Sequence, residues 1–291
     1  MSEANPFRDS VSIVTGAGRG IGRAIAEKLA RAGSTVVLVA RNSTQLEEVA
    51  AAIADVGGRA VVVPADVSDL TVATEIVKDL ADRYGRIDLL VNNAGSNNGG
   101  PDGSIGPMWE VNADEWWRDV QVNLLGTFAW SRAVLPNMVD RRSGRIINIV
   151  SGTGTRASPY NSSYACSKAA VIRLTDCLAA EVADHSIRVF GLSPGAVRTE
   201  LSTGAVETAA GRKWMGDLAG SLNWISADVP ASAALYLASG RADALSGRMV
   251  HSADDLEEAV SRSGEIVRDD LLQLRFRKLG PTRAVNGSDG S

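Results

Sequence analysis

Residues 11–22 read VSIVTGAGRGIG, a short apolar run that leads directly into a turn containing four glycines. The run Val11–Thr15 predicts a buried strand, and the apolar spacing that follows predicts a helix over Gly20–Ala32. Glycines allow a sharp turn and a close approach of the backbone to a ligand, while the start of a helix attracts anions. A glycine cluster by itself also fits an ordinary turn. Its position at the start of a β-α-β unit favours a site for the pyrophosphate of a dinucleotide.

Short strands alternate with longer helices along the rest of the chain, as in a parallel sheet covered by helices on both faces. The chain is therefore predicted to be α/β, with a Rossmann-like doubly wound parallel sheet of about seven strands. We expect a single domain over residues 1–252, a helical C-terminal extension over 253–279 and a disordered tail over 280–291. Strands are expected at Val11–Thr15, Thr35–Ala40, Ala60–Pro64, Ile87–Val91, Arg145–Val150, Ser186–Gly191 and Ser246–Val250, and helices at Gly20–Ala32, Ser43–Val56, Asp69–Arg83, Asn112–Asp140, Ser162–Ala183 and Asp228–Ala238.

Composition narrows the classes of function. The chain has 30 Lys and Arg against 34 Asp and Glu, and this net charge of −4 argues against nucleic acid or an anionic membrane as a partner. Charges and glycines interrupt every apolar run in the first thirty residues. Neither a signal peptide nor a membrane span is therefore expected, and we predict a cytoplasmic protein. Cys166 and Cys177 fall in one predicted helix, and His185 and His251 lack ligand companions, so no metal site is expected.

Further motifs follow the predicted strands, at the edge where an open α/β sheet binds its ligands. From Thr15 the sequence has the spacing Thr-Gly-x-x-x-Gly-x-Gly, and it then has, in order, Asn92-Asn93-Ala94-Gly95, Ser151, Tyr164 with Lys168, and Pro194-Gly195. Over about residues 8 to 250, this series resembles the single-domain branch of the short-chain dehydrogenase/reductase family. The resemblance implies an oxidoreductase that uses a nicotinamide cofactor.

The candidate catalytic residues are Asn123, Ser151, Tyr164 and Lys168. Tyr164 and Lys168 are four residues apart on a predicted helix and therefore share one face. A phenol titrates at about pH 10, and a nearby ammonium should lower its pKa toward the range of a working acid/base. The resemblance further implies that Lys168 bonds the nicotinamide ribose and that Ser151 holds the substrate oxygen. It also implies that Asn123 disturbs its helix locally and holds a water in a proton relay to the lysine.

The end of the second strand indicates which cofactor binds. An acidic residue there would bond the ribose 2′-hydroxyl of NAD, but the sequence has Ala40 and Arg41. Arg41, together with Arg19 from the glycine turn, can hold a 2′-phosphate, so NADP is favoured. NAD remains the alternative, because Arg41 also fits a solvated residue at the start of a helix. The cofactor contacts that the resemblance implies are Gly16, Arg19, Gly20, Ile21, Arg41, Asp66, Val67, Asn93, Ala94, Gly95, Tyr164, Lys168, Pro194, Gly195, Val197 and Thr199.

Three stretches surround the expected substrate side. The residues after Thr199 should form a mobile lid. The loop Ser96–Pro107 is longer than the family norm and either contacts substrate or is a surface insertion. The C-terminal extension should pack on the domain or on a second subunit, and a homodimer or homotetramer is expected. Five residues of this lid either line an apolar substrate pocket or pack on their own core or on a partner subunit. They are Trp214, Met215, Leu218, Leu222 and Trp224.

The leading hypothesis is a ketoreductase or alcohol dehydrogenase that moves a hydride between NADP(H) and a small-molecule carbonyl or secondary alcohol, with Tyr164 as acid/base. Two other enzymes remain as alternatives, an NAD-dependent catabolic alcohol dehydrogenase and a 3-oxoacyl-thioester reductase. A further alternative is a catalytically silent, cofactor-binding regulatory protein. Such a protein would have no need of the four candidate catalytic residues together.

Overall fold

A parallel sheet of seven strands lies at the centre of the computed structural model, which describes residues 5–98, 103–216 and 218–275. The strands are β1 Val11–Thr15, β2 Thr35–Ala40, β3 Arg59–Pro64, β4 Leu89–Asn92, β5 Gly144–Ile149, β6 Ile187–Ser193 and β9 Met249–His251, while β7 Ala196–Val197 and β8 Trp224–Ile225 form a separate parallel pair. The order across the sheet is β3-β2-β1-β4-β5-β6-β9. This order confirms the predicted doubly wound sheet.

Helices cover both faces of this sheet. They are α1 Gly20–Arg31, α2 Ser43–Asp55, α3 Leu70–Tyr84, α4 Ala113–Val120, α5 Gly126–Arg141, α6 Ser162–Glu181, α7 Glu200–Val206, α8 Ala209–Met215, α9 Leu218–Ser221, α10 Asp228–Ala238, α11 Leu256–Ser261 and α12 Ser263–Arg268. Alternate strand residues enter opposite layers, so Val14 packs with α1, α2 and α10 while Ile13 packs with α3 and α5. Each such fully buried aliphatic side chain contributes about 1.5–3 kcal/mol to folding.

Capping residues set the start of several helices. The side chain of Asn42 accepts from the main-chain N–H of Gln45 at the start of α2. Asp69 accepts from two main-chain N–H groups at the start of α3, and Asn112 does the same for α4. Each cap satisfies donors that the first helical turn leaves unpaired, which contributes about 1 kcal/mol. These polar side chains explain why the helix starts were readable from the sequence.

The long helix predicted from Asn112 to Asp140 contains a local irregularity. Between α4 and α5 the chain forms a π-helical stretch, Gln121–Leu125, in which Gly126 N–H bonds to Gln121 O. A π turn accommodates one extra residue and is frequently found at functional sites. Asn123 lies at its centre.

The C-terminal extension is less helical than predicted, since residues 269–275 lie outside any helix although helix was expected over 253–279. Asp270 and Leu272 adopt positive φ angles of 53° and 59°, a conformation that a right-handed helix cannot continue through. The chain then runs beside β9, where Met249 N–H donates to Leu272 O at 2.8 Å. Leu256 and Ile266 join the main core, so this extension packs on its own domain. The tail expected over 280–291 lies outside the described residues.

The other element boundaries differ from the predicted ones by at most three residues. The largest difference is at the last strand, which was expected from Ser246 and begins at Met249. Gly247 has a φ of +82°, which interrupts an extended chain at this point.

Candidate active site

The predicted site residues lie at or just after the carboxyl ends of β1 to β6 and on the helical segments that carry Asn123, Tyr164 and Lys168. β1 and β4 are neighbours in the sheet, and from them the chain proceeds toward opposite edges. Such a reversal of strand order leaves a crevice above the strand ends, which is where open α/β sheets bind ligands. The crevice next to β1 and β4 is therefore the candidate site.

The glycine turn between β1 and α1 is pressed closely against β4. Gly16 has a φ of +64°, and a side chain there would lie 2.9 Å from the Cα atom of Ala94. A side chain at Gly22 would lie 2.2 Å from Gly16 O. Asn93 Nδ2 donates to Thr15 O at 2.9 Å and to Gly16 O at 3.2 Å, which fixes the turn to the β4 end. The turn thus presents bare backbone at the start of α1, as a pyrophosphate requires.

The segment after β6 forms the opposite wall. Ser252 Oγ donates to Pro194 O at 2.8 Å, and Gly195 turns the chain with a φ of +76°. Val197 pairs with Ile225 in the β7–β8 ribbon. Thr199 caps α7, and a side chain at Gly20 would lie 3.0 Å from its Cγ2 atom. The two walls therefore approach each other above the glycine turn.

Asn123 links the loop after β4 to α6. Its side chain is fully buried, with Oδ1 accepting from Ser96 N–H at 2.8 Å. Its Nδ2 donates to Ser96 O and to Ser167 Oγ, both at 2.9 Å. The backbone at Gly95 passes close by, because a side chain there would lie 3.2 Å from Asn123 Oδ1. The irregular helix of Asn123 therefore holds the loop that follows β4.

Lys168 is buried on α6. Its Nζ donates to Ile149 O at 2.8 Å at the end of β5, and it lies 5.7 Å from the centre of the Tyr164 ring. Burial lowers the pKa of Lys168 from an ordinary 10.5 to about 8. This lysine can therefore exchange a proton close to neutral pH.

Tyr164 is half-buried, one turn before Lys168 on the same face. Burial raises the pKa of the phenol to about 12, a hydrogen bond with Ser151 lowers it, and the charge of Asp119 raises it further. The sequence-based expectation that Lys168 lowers the pKa of Tyr164 is thus not met in this structure. The physical reason is that desolvation disfavours the phenolate and that Lys168 directs its Nζ to a main-chain carbonyl.

Ser151 lies two residues after the end of β5, next to this pair. Its Oγ accepts from Thr153 N–H at 3.2 Å and so caps a short 3-10 turn, Gly152–Thr155. This turn touches α6, because a side chain at Gly154 would lie 2.7 Å from Ala169 N. Ser151 is therefore held in place relative to the helix that carries Tyr164.

Charged side chains lie near the ends of β2 and β3, where the sequence predicts the adenosine half of a cofactor. Burial alone would raise the pKa of Asp66, but hydrogen bonds from Ser68 and the charges of Arg41 and Arg118 bring it below its ordinary value. Arg41 is exposed at the end of β2, and Val67 is buried beside α5. Arg19 forms an exposed ion pair with Glu200 at the start of α7. The two arginines predicted to act together are therefore not engaged with the same partner.

The predicted lid comprises α7, α8 and α9. Met215 and Trp224 pack with Ile105 of the loop after β4. The ring of Trp214 lies 5.3 Å from that of Tyr160, whose main-chain O accepts from Gly106 N–H at 2.9 Å. Leu222 is half-buried, and the side chain of Leu218 and residues 99–102 of the loop lie outside the described part of the chain. The lid and the loop thus pack against each other through apolar side chains.

Sequence reasoning missed one buried side chain. Asp119 on α4 is fully buried and accepts hydrogen bonds from the hydroxyls of Ser96, Ser104 and Ser163. A signal was present, because an aspartate among the inward positions of a long helix needs buried partners. The partners themselves could not be identified from their spacing.

In the part of the chain that the structure describes, no helix is long and apolar enough to cross a membrane. The same ranges hold no group of three or more His, Cys, Asp or Glu residues that could bind a metal ion.

The chain is similar to known proteins over most of its length. A family model described as short chain dehydrogenase matches residues 10–210. A short chain dehydrogenase from Pseudocercospora fijiensis is 34% identical over 281 residues, which cover 92% of this chain and 89% of that relative.

Solved structures share the fold. A gluconate 5-dehydrogenase from Burkholderia cenocepacia, crystallised with NADP and tartrate, matches with a TM-score of 0.75 and 33% identity, covering 88% of this chain and 98% of its own. An NAD+-bound xylitol dehydrogenase matches with a TM-score of 0.74 and 26% identity, covering 84% and 98% of the two chains.

Proposed function

Because the chain belongs to the short-chain dehydrogenase family and is therefore an oxidoreductase, we propose that it transfers a hydride between NADP(H) and a carbonyl or secondary alcohol, with Tyr164 as acid/base. The observation that carries this proposal is the position of Tyr164, flanked by Ser151 and by the buried Lys168, above the strand ends. A regulatory protein that only bound a cofactor would have no use for this group of residues.

The crevice fits a dinucleotide. The glycine turn offers backbone that no side chain covers, and the close packing at Gly16 and Gly22 leaves room for nothing larger than glycine there. The turn would hold the pyrophosphate, with Gly20 and Ile21 at the start of α1, while Asn93, Ala94 and Gly95 would border the nicotinamide half. The bound cofactor would supply the hydride chemistry. Pro194, Gly195, Val197 and Thr199 would close the crevice from the other side.

Tyr164 is suited to give a proton to a carbonyl oxygen. A phenol is protonated at neutral pH, and burial raises its pKa further, so Tyr164 enters a reduction as an acid. Ser151, which already hydrogen-bonds the phenol, would hold the same substrate oxygen and stabilise the charge that develops on it. In the direction of oxidation, Tyr164 would release its own proton toward the deprotonated amine of Lys168 as it accepts the proton of the alcohol.

Lys168 and Asn123 would support the acid/base function of Tyr164. The low pKa of Lys168 allows this residue to pass a proton to Tyr164 and to be reprotonated near neutral pH. The side chain of Asn123 is committed to Ser96 and Ser167, so it fixes the positions of a loop and a helix. We also propose the proton relay through a water that the resemblance to the family implies. In that relay Asn123 would hold the water through its main chain, because its side-chain amide is already paired.

The preference for NADP rests mainly on Arg41. The residues directly after β2 include no carboxylate that would repel a 2′-phosphate. Arg41 is exposed at this position and can bind such a phosphate. Arg19 would have to leave Glu200 before it could contribute. Among the similar structures, one was solved with NADP and another with NAD+, so NAD stays as the alternative.

We also propose a cytoplasmic homodimer or homotetramer that acts on small molecules, with neither nucleic acid nor membrane as a partner. Large apolar side chains on the two parts of the long helix support the oligomer, since Trp117 and Phe128 are exposed. Trp130, in contrast, belongs to the core of the domain.

The test is cofactor turnover with a panel of ketones, keto esters, acyl thioesters, polyols and secondary alcohols, using NADPH, NADH and their oxidised forms. We expect turnover that prefers NADP(H). Tight cofactor binding without turnover across the panel would favour the regulatory alternative. A strong preference for thioesters, or for NAD, would select one of the two enzyme alternatives.

A further inference from the structure

A buried carboxylate lies beside the candidate site, and its one effect described above is that its charge raises the pKa of Tyr164. Asp119 on α4 is fully buried. Its Oδ1 accepts from Ser96 Oγ at 2.5 Å, and its Oδ2 accepts from Ser163 Oγ at 2.8 Å and from Ser104 Oγ. We call these four residues the Asp119 cluster.

Burial of the carboxylate of Asp119 carries a free-energy cost. A buried carboxylate loses its hydration and is tolerated only where other groups replace it. Among the described residues, three hydroxyls and no cation take that role at Asp119. A hydrogen bond to a charged group is stronger than one between neutral groups, so three together hold their partners firmly.

The three serines come from separate parts of the site. Ser96 follows the Asn-Asn-Ala-Gly motif and is also bonded through its backbone to Asn123. Ser104 lies near the other end of the same loop, where its main-chain N–H donates to Asn98 O at 2.9 Å. Ser163 directly precedes Tyr164 on α6. One carboxylate therefore ties both ends of a loop to the helix that carries the acid/base.

The tied loop leads directly to the lid. Ile105 follows Ser104 and packs with residues of α7 and α8, and Gly106 bonds to the main chain of Tyr160. A shift of Ser104 would therefore move the apolar wall that Trp214 and Tyr160 complete. Among the described residues, the glycine turn shares no hydrogen bond with the cluster, so the pyrophosphate part of the crevice should be insensitive to it.

We propose that Asp119 is a positioning residue that holds the two described ends of the loop after β4, at Ser96 and at Ser104, in register with Tyr164 and thereby sets substrate affinity. The proposal rests on the proposed function, in which Tyr164 is the acid/base and this loop borders the substrate. Asp119 itself touches neither substrate nor cofactor. It acts through Ser96, Ser104 and Ser163.

The first test is hydrogen–deuterium exchange, read by mass spectrometry on the NADPH-bound protein, because it needs no substrate. Asp119→Ala should raise the exchange rate of peptides from residues 96–107 about tenfold or more, as expected for the loss of a charged hydrogen bond. Ser104→Ala should loosen only the second half of the loop. Peptides from the glycine turn should exchange as in the wild type.

Asp88→Asn is the matched control. Asp88 is another largely buried carboxylate with several partners, among them Val11 N–H, Arg86 and Arg141, but it lies at the opposite end of the strands. Its substitution should destabilise the fold without loosening residues 96–107. If Asp119→Ala fails to fold, Asp119→Asn provides the test, because the amide keeps the shape and some of the bonds.

The second test separates KM from kcat in the reduction of ethyl acetoacetate by NADPH. We expect Asp119→Ala to raise KM about tenfold and to lower kcat less, with Asp119→Asn in between and the Kd for NADPH unchanged. Unchanged loop exchange in both Asp119 variants would overturn the proposal, and so would equal loosening by Asp88→Asn. If Tyr164→Phe turned over like the wild type, the proposed function would fail instead, and the exchange data would still report on the loop.

Discussion

The two ends of the crevice, which we propose to hold the nicotinamide and the adenosine of the cofactor, are built differently. At the nicotinamide end, Asn123 and Lys168 are buried and bonded to fixed protein atoms. At the adenosine end, Arg41 is exposed and Arg19 is held only by an exposed ion pair with Glu200. Proton transfer needs fixed geometry in a site with little water, whereas charge recognition works through water-screened groups that can change partners. Substitutions should therefore have far larger effects at the first end than at the second.

The largest effect is expected at Tyr164. Tyr164→Phe removes a single oxygen from the buried end, and kcat should fall about 10³-fold, within the usual range for the loss of a general acid. The Kd for NADPH should change little, because the ring remains. Steady-state rates and fluorescence titration of NADPH measure the two quantities. Wild-type turnover in this variant would remove the contrast between the ends altogether.

A smaller effect is expected at Arg41. Arg41→Ala should reduce the preference for NADPH over NADH by about 10- to 100-fold, the value of one charge-assisted bond to a phosphate, and leave kcat nearly unchanged. The ratio of kcat/KM for the two cofactors measures it. Arg83→Ala, which removes an exposed arginine at the end of α3, is the control. An unchanged ratio would mean that the exposed end does not select the cofactor through Arg41.

The pH profile sharpens the comparison at the buried end. Because burial lowers the pKa of Lys168 to about 8 and raises that of Tyr164 to about 12, the first proton to leave this pair leaves near pH 8. Below that pH the rate of alcohol oxidation should rise about tenfold per pH unit, and the rate of reduction should fall above it. Lys168→Met should abolish the inflection near pH 8. A profile with the same inflection in the variant would assign the titration to another group.

The smallest effect is expected at Glu200. Glu200→Gln frees Arg19 from its exposed ion pair and should strengthen NADPH binding about two- to fivefold at low salt, since such pairs are weak. The gain should disappear at high salt, where exposed charges are screened. Isothermal titration at two ionic strengths measures it. Weaker binding in the variant would show that Glu200 itself serves the cofactor.

The fold was readable from the sequence because its signals are local. Strands buried on both faces are continuous apolar runs, and side chains such as Asn42 and Asp69 mark the helix starts. The end of the C-terminal helix was not readable, because it depends on the backbone conformation of Asp270 and Leu272. No local sequence pattern predicts that backbone conformation.

The candidate site was readable only in part. The sequence motifs identified the candidate residues around Tyr164. The direction of the pKa shift of Tyr164, however, depends on burial, which its spacing from Lys168 does not reveal. The Asp119 cluster joins residues from three segments of the chain, and the ion pair of Arg19 with Glu200 joins residues 181 positions apart. Pairings of this kind follow from the packing of the whole domain.

The most direct test of the central claim is to follow the transferred hydrogen itself. NADPH carrying deuterium at the reactive carbon of the nicotinamide is incubated with the protein and a substrate from the panel, and the product is examined by mass spectrometry. We predict that the wild type places deuterium on the carbinol carbon, whereas Tyr164→Phe binds the labelled cofactor and yields almost no labelled product. Equal labelling by the two proteins, or a wild type that binds NADPH and labels nothing across the panel, would contradict the account.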